Sequence, residues 1–267
     1  MTIARPNVAA AARRLEVAGV ASPRHDAEAL AELAAGDEQA FAGYVDRRSS
    51  REPLQHITGV AYFRYIEVAV GPGVFIPRPE TELVAQAAID FALTQQAPTV
   101  VDLCAGSGAI ALSIAQEAPS ATVHAVESDA AAIKWLQRNV AGTTVQVHQE
   151  DAATALGSLD GTVHVVISNP PYVPLGQRTR VHAEVRDHDP AFALWAGLDG
   201  LDVIKAVVRR AAGLLRNGGL LVVEHDDTHG GKVQALLEAT GEWTRIEGHQ
   251  DLAGRARFAT AVRKNRT

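Results

Sequence analysis

From Thr99 to the C-terminus, short apolar runs alternate with helical stretches, and this alternation constrains the fold more than any other feature of the chain. The runs lie near 99–103, 122–126, 144–148, 163–168, 220–224, 243–246 and 258–262. They are rich in Val, Leu and Ile and bounded by turn residues. The stretches near 109–117, 130–140, 200–215 and 231–239 repeat apolar residues at helical spacing. Such an order implies a parallel sheet covered by helices on both faces. The expectation is an α/β fold with a doubly wound, mostly parallel seven-stranded sheet whose last strand is antiparallel. Sheets of this kind bind ligands outside the C-terminal ends of their strands. The residues that close each run are therefore the first candidates for a site.

Two run ends stand out. Val165-Val166-Ile167-Ser168 is followed by Asn169-Pro170-Pro171-Tyr172. The prolines lack an N–H and fix φ, so they stop the ladder, and Pro170 biases Asn169 toward an extended backbone. Val100-Val101-Asp102-Leu103 is followed by Cys104-Ala105-Gly106-Ser107-Gly108 and a helix. Glycines at a strand-to-helix turn let the backbone approach a ligand closely. Glu127 closes the next strand about 20 residues on, where an acid can accept both ribose hydroxyls of an adenosine-type cofactor. Asp151 follows the third strand and is placed to accept from an adenine amine. Gly106-x-Gly108-x-x-Ala111 also fits the loose dinucleotide fingerprint, so the loop alone leaves a dinucleotide open. Cys104 reads as a loop residue, with no basic neighbour in sequence to lower its thiol pKa.

Ahead of the sheet the pattern is different. Residues 1–57 read as a small helical bundle. Its first helix runs from Asn7 to about Ala18, with Val8, Ala11, Ala12, Leu15 and Val17 inward. Its second is opened by Ser22 as N-cap and Pro23, with Asp26 and Glu28 on the positive end of the dipole and Leu30 and Leu33 in its apolar stripe. Its third is capped by Asp37, with Phe41, Tyr44 and Val45 inward. Arg47, Arg48 and Arg51 read as a solvated helix end, as do Arg209-Arg210 and Arg263-Lys264-Arg266. Residues 58–79 read as a β-hairpin linker, and Glu80 or Thr81 opens the next helix, beginning a domain over 80–267.

Charge and composition exclude some classes. A net charge of −6 argues against a non-specific nucleic-acid coat. One cysteine excludes an internal disulfide and fits a reducing cytoplasm. No run approaches 18 apolar residues, and the N-terminus lacks the layout of a signal peptide. His225, Asp226, Asp227 and His229 imitate a metal cluster but read as a polar loop, so no metal is expected. His182, Asp187 and His188 read as substrate contacts or loop ordering.

The form strand-Asp102-x-x-x-Gly106-x-Gly108 resembles class I S-adenosylmethionine-dependent methyltransferases, and Asn169-Pro170-Pro171-Tyr172 resembles the catalytic loop of those that modify a planar nitrogen. With Phe75-Ile76-Pro77-Arg78-Pro79-Glu80-Thr81-Glu82, the three motifs resemble the release factor glutamine N5-methyltransferase (HemK/PrmC) family. Shorter matches are Pro53–Gly59, Glu184–Asp187, Asp199-Gly200-Leu201 and Asp251–Arg255. The resemblance covers about residues 51–263. The chain departs from the family's usual pattern in its Cys104-Ala105 loop, in Glu127 for Asp, in Ala152 where a larger residue often packs on adenine, and in Glu224-His225-Asp226 for Glu-Ile-Gly.

The resemblance implies a Rossmann-like methyltransferase. It would transfer a methyl from S-adenosylmethionine to the side-chain N5 of the glutamine in the Gly-Gly-Gln motif of class 1 peptide chain release factors, leaving S-adenosylhomocysteine. The cofactor would meet Asp102, Cys104, Ala105, Gly106, Ser107, Gly108, Glu127, Asp151, Ala152 and Asn169. Arg78, Asn169, Pro170, Pro171 and Tyr172 would meet the substrate. Asn169, Pro170 and Tyr172 would be catalytic: the Asn169 oxygen and Pro170 carbonyl would accept the two amide N–H groups, and Tyr172 would wall off the planar amide. The expected partner is the release factor, held in part by the N-terminal bundle, with no membrane or direct nucleic-acid contact, and the enzyme is expected to be a monomer. Competing readings are a DNA or RNA exocyclic-amine methyltransferase, a methyltransferase for a ribosomal-protein glutamine, and a non-catalytic S-adenosylmethionine- or dinucleotide-binding module.

Overall fold

The computed structural model describes residues 7–177, 181 and 183–265, so His182 and Arg266 lie outside the described residues. The chain opens with α1 (Val8–Val17), α2 (Pro23–Ala34) and α3 (Glu38–Ser49), which bury Leu15, Leu30, Phe41 and Val45 against one another. None of these helices is long enough to be stable alone, so this shared core is what holds them. Asn7 caps α1 by accepting the Ala10 amide at 3.0 Å, and Asp37 caps α3 through the Gln39 and Ala40 amides. Ser22, expected to cap α2, makes no side-chain cap bond; Pro23 at the helix start, with its φ already set, remains as the initiating residue. Val17 and Leu33, expected inward, face outward, Val17 at 91% exposure. Three short helices offer too narrow a shared face to cover every apolar position.

The arginines of α3 correct a second expectation. Arg48 is buried, not solvated. It binds Asp26 at 2.7 Å, the Glu52 carbonyl at 2.9 Å and Glu184 at 3.0 Å. Asp26 thus serves a buried ion pair as well as the start of α2. Arg47 pairs with Glu52, and Arg51 reaches Glu184 at 2.8 Å.

A short helix α4 (Leu54–Thr58), not foreseen, leads into β1 (Val60–Phe63) and β2 (Ile66–Ala69), an antiparallel hairpin. Phe63, Val68, Val70, Val74 and Ile76 are buried in the same apolar cluster as the next helix, α5 (Thr81–Leu93).

The alternating part follows: β3 (Thr99–Leu103), α6 (Ala109–Glu117), β4 (Thr122–Val126), α7 (Ala132–Asn139), β5 (Gln146–His148) and β6 (Val163–Ser168). Then come α8 (Ala183–His188), α9 (Ala191–Leu194), α10 (Asp202–Leu214), β7 (Leu215–Glu224), α11 (Gly230–Thr240), β8 (Trp243–Gln250) and β9 (Ala256–Arg263). The seven-stranded, mostly parallel sheet expected from the alternation is present, in the order β5-β4-β3-β6-β7-β9-β8, with β9 antiparallel to both neighbours. One apolar cluster joins α5, α6, α7 and the hairpin to the sheet, and a second joins α10 and α11 to it. Arg210 and Arg263 are not solvated ends. Arg210 donates to the Ala155 carbonyl at 2.7 Å and pairs with Asp160, while Arg263 is buried and donates to the Ala212 and Glu242 carbonyls. Among the described residues no helix is long and apolar enough to cross a membrane.

The strand order reverses at β3. From it the chain steps outward to β4 and β5, then returns to β6 on the other side. The crevice outside the C-terminal ends of β3 and β6 is therefore a topological switch point. Leu103 and Ser168 stand opposite each other in the ladder, so Cys104 and Asn169 emerge side by side.

Candidate active site

A cleft of about 440 Å³ lies at this switch point, within the range of small-molecule sites. One wall is built by the loop after β3. The Ala105 amide donates to the Val126 carbonyl at 2.9 Å, and Gly108 opens α6 at φ +85°. A Cβ at Gly108 would sit 2.6 Å from a Leu136 methyl, so both backbone angle and space demand glycine. Glu127, at the end of β4, is buried and accepts the Gly106 amide at 2.9 Å and the Asp129 amide at 2.8 Å. Burial pushes its carboxyl up from the ordinary value, and these amides pull it back. Asn139 braces the loop from behind: its amide nitrogen donates to the Ser107 and Ala69 carbonyls, both at 2.9 Å.

Cys104, Ala105, Gly106, Ser107, Glu127, Asp151 and Ala152 all line the cleft, as does Asn169. Asp102 and Gly108 do not. Asp102 is fully buried within β3, and burial pushes its carboxyl well above the ordinary range. Gly108 turns the chain into α6 behind the lining. Cys104 holds a left-handed φ of 65°, and burial raises its thiol pKa, which opposes nucleophilic use.

The opposite wall is built by side chains. The Ser168 hydroxyl donates to the Leu103 carbonyl at 2.6 Å and stitches β6 to β3. Beyond it Asn169, Pro170, Pro171 and Tyr172 line the cleft. Asn169 Nδ2 donates to Thr81 Oγ1 at 3.1 Å, Thr81 Oγ1 donates to Glu224 Oε2 at 2.8 Å, and the Tyr172 phenol donates to Glu224 Oε1 at 3.2 Å. Burial pushes Glu224 up to about 7 and raises the Tyr172 phenol. Gly200, at φ +75°, passes so close that a Cβ there would fall inside contact distance of the Tyr172 carbonyl.

Helices α8 and α9 roof the cleft through Val185, Phe192 and Leu194. This roof is tied at two points. Glu184 meets Arg48 and Arg51 of the N-terminal helices, and Asp189 pairs with Arg78. Arg78 lines the cleft with its guanidinium 5.0 Å from the Phe75 ring. The Asp189 carboxyl is buried and pushed up to about 6 by desolvation, with Arg78 acting against the shift.

Phe63, Ile110 and Phe192 line the cleft without any local signal in the sequence that places them there, while Phe75 and Val185 lie in the Phe75–Glu82 and Glu184–Asp187 segments. In the sequence Thr81 is a helix start within the Phe75–Glu82 segment, and Glu224 is the residue of Glu224-His225-Asp226 that keeps the usual pattern; neither pattern ties the two together. The available hint was a carboxylate closing the apolar run Leu220–Val223, an expensive place for a charge without a purpose. His225 and His229 are buried, with His225 Nδ1 2.8 Å from the Asp226 carbonyl oxygen. Asp187 pairs with Arg186.

Comparison with known proteins follows the same lines. Residues 69–186 match the family model "Methyltransferase small domain", and residues 31–59 match "PrmC N-terminal domain". The chain is 51% identical to a release factor glutamine methyltransferase of Streptomyces coelicolor, covering 98% of each chain. It is 44% identical to a 4-amino-L-phenylalanine/4-methylamino-L-phenylalanine methyltransferase of Streptomyces pristinaespiralis, over 76% of this chain and 71% of that one. The crystal structure of a ribosomal protein L11 methylase from Lactobacillus delbrueckii subsp. bulgaricus shares the fold at a TM-score of 0.51 and 18% identity, over 74% of this chain and 86% of that one.

Proposed function

The chain belongs to the release factor glutamine methyltransferases, and from that premise we propose that it methylates the side-chain N5 of the glutamine in the Gly-Gly-Gln motif of class 1 release factors, using S-adenosylmethionine. The observation that carries the chemistry is the pairing of two unlike walls across one cleft. A glycine loop with a doubly bonded carboxylate faces an Asn-Pro-Pro-Tyr strand exit.

The cleft suits the cofactor. Nothing stands within 4 Å of where a Gly106 Cβ would be, which leaves room for close approach to the backbone. Glu127 keeps lone pairs for ribose hydroxyls, and Asp151 and Ala152 border the place for the adenine. Ser107 completes that side, and Asn169 borders the cofactor from the opposite wall. Asp102 stays buried within β3, behind the lining of the cleft. When bound, S-adenosylmethionine supplies an electrophilic methyl whose sulfonium charge disappears on transfer. The residues of the chain do the rest.

A glutamine nitrogen is a weak nucleophile because its lone pair is delocalised into the carbonyl. Asn169 Oδ1 and the Pro170 carbonyl accept its two N–H groups, fix its direction and stabilise the positive charge that develops on it. Pro171 stiffens that exit. Tyr172 walls the planar amide, and the apolar roof excludes water and lowers the dielectric around the transfer. Arg78 lies at the substrate side and holds the roof through Asp189. The proton leaves nitrogen after the methyl arrives, so no strong base and no metal are required. The N-terminal helices, linked to the roof through Arg48 and Glu184, hold the release factor. The work is that of a monomer in the cytoplasm, on protein and not on nucleic acid, in keeping with the net charge of −6.

The relation to the aminophenylalanine enzyme supports a second reading, an aromatic amine at the same planar-nitrogen position. One experiment separates the two. Methyl-labelled S-adenosylmethionine is incubated with the protein and, in parallel, purified release factor, its Gly-Gly-Gln glutamine-to-alanine variant, 4-amino-L-phenylalanine and DNA. Label in the release factor alone, lost in the variant, is expected. Label in the small amine or DNA with none in the release factor would overturn the reading.

A further inference from the structure

We propose that Thr81 and Glu224 are positioning residues that set which end of the Asn169 side-chain amide faces the substrate. The inference rests on the reading of Asn169 given above, and it follows from counting protons along one buried chain. Thr81 is 2% exposed and Glu224 is 1% exposed, so water does not share their hydrogen bonds. An ionised carboxylate only accepts. The Tyr172 phenol donates to one Glu224 oxygen at 3.2 Å, and the single Thr81 hydroxyl proton goes to the other at 2.8 Å. With its proton committed, Thr81 Oγ1 can only accept from Asn169. The amide must therefore turn Nδ2 toward Thr81, where it stands at 3.1 Å. Oδ1, the other end of the amide, is left for the ligand.

That polarity matters because the nitrogen to be methylated carries two N–H donors. An Asn169 turned the other way would set donor against donor at the reacting centre. The relay also explains physically why the Pro77–Glu82 segment belongs with the Asn-Pro-Pro-Tyr loop. The segment brings Thr81 to the N-terminus of α5, β6 brings Asn169, and β7 brings Glu224. Three stretches far apart in sequence meet to orient one amide.

Protonation of Glu224 would undo the arrangement. A carboxylic acid donates to Thr81, Thr81 then donates onward, and the amide is free to flip. Glu224 is pushed up to about 7 by burial; its hydrogen bonds from Thr81 and Tyr172 and the Arg257 charge on β9 work downward, and Glu80 at the start of α5 works upward. Glu80 itself is paired with Arg255 at 3.5 Å. Turnover therefore rises with pH through the titration of Glu224.

The test uses the full chain, purified release factor and labelled S-adenosylmethionine at saturating concentrations between pH 6 and 9. Wild type is expected to show kcat rising through about pH 7. Thr81→Val keeps the shape without the hydroxyl. It should lose about 10- to 100-fold in kcat at pH 8, with cofactor affinity and melting temperature little changed, and its pH limb should vanish. Thr81→Ser should restore both rate and limb. Glu224→Gln should behave like Thr81→Val. A Thr81→Val enzyme with wild-type kcat and an intact limb overturns the relay, as does a rate loss that Thr81→Ser fails to rescue. The nitrogen-15 signal of the Asn169 side-chain amide gives a readout that needs no substrate. It should titrate with Glu224 in wild type and stay flat in Thr81→Val and Glu224→Gln. Flat wild-type behaviour overturns the relay; a titrating signal with no methylated release factor overturns only the substrate reading.

Discussion

The two walls of the cleft are held in opposite ways. The loop wall is made of backbone, short in sequence, and fastened by amide groups to Glu127 and Asn139. The Asn-Pro-Pro-Tyr wall is made of side chains drawn from β6, α5 and β7, with a roof tied by ion pairs to more distant helices. A backbone wall suits close approach of a ligand to the chain. A side-chain wall suits a nitrogen on which positive charge develops, because side chains can be given a chosen polarity. The two walls should therefore fail differently when cut.

The largest difference is expected from Asn169→Ala, which removes the acceptor at the reacting nitrogen. Turnover on release factor should fall about 10³-fold while S-adenosylmethionine affinity, read by calorimetry, stays within about twofold. Near-normal methylation by this variant would sink the assigned role. Next comes Arg78→Met, which leaves the Asp189 carboxyl buried without its counter-charge. Urea unfolding at pH 7.5 should show a loss of about 3 kcal/mol. Asp189 already has a folded pKa raised to about 6, so it favours the fold most below its ordinary value and loses that contribution as pH rises through the folded one. The deficit of Arg78→Met should accordingly shrink toward pH 5; a pH-independent deficit would put the cause elsewhere.

Glu127→Ala should act on the other wall. The hydrogen bond to the Gly106 amide of the loop, the one to the Asp129 amide and the acceptor for the ribose go together, so cofactor affinity should weaken by about 100-fold. Turnover at saturating cofactor should change far less than in Asn169→Ala. If both variants lose turnover and affinity in the same proportion, the walls are not separate units. The smallest effect is expected at Cys104→Gly. Relief of a left-handed backbone gains about 1 kcal/mol, and the freer unfolded chain costs about as much. Thermal unfolding should move by less than about 1 kcal/mol; a larger loss would mean that the thiol packs more than its position suggests.

Legibility in the sequence followed the same division. The loop wall lies within one strand, one turn and the end of the next strand, so spacing alone pointed to Gly106 and Glu127, which line the cleft, and to Gly108, which turns the chain behind it. Asn169 and Tyr172 were legible because two prolines behind an apolar run leave few alternatives. Thr81 and Glu224 were not, because a bond between residues 143 apart leaves no local pattern. Arg48 departs from its sequence pattern for the same reason: at the end of a helix it has the composition of a solvated group, and only packing against Asp26 and Glu184 buries it.

The sequence by itself determined the strand–helix alternation, hence the parallel sheet, and the residues that stand at its strand ends. Those are matters of periodicity and of backbone stereochemistry, which act over a few residues. Tertiary structure alone decided which strand ends become neighbours and which protons are shared between them. The reversal of strand order at β3 put Cys104 beside Asn169, and the burial of Glu224 gave the Asn169 amide its direction. Both depend on groups brought together by the closing of the sheet, where water is excluded and every hydrogen bond must find its partner within the protein.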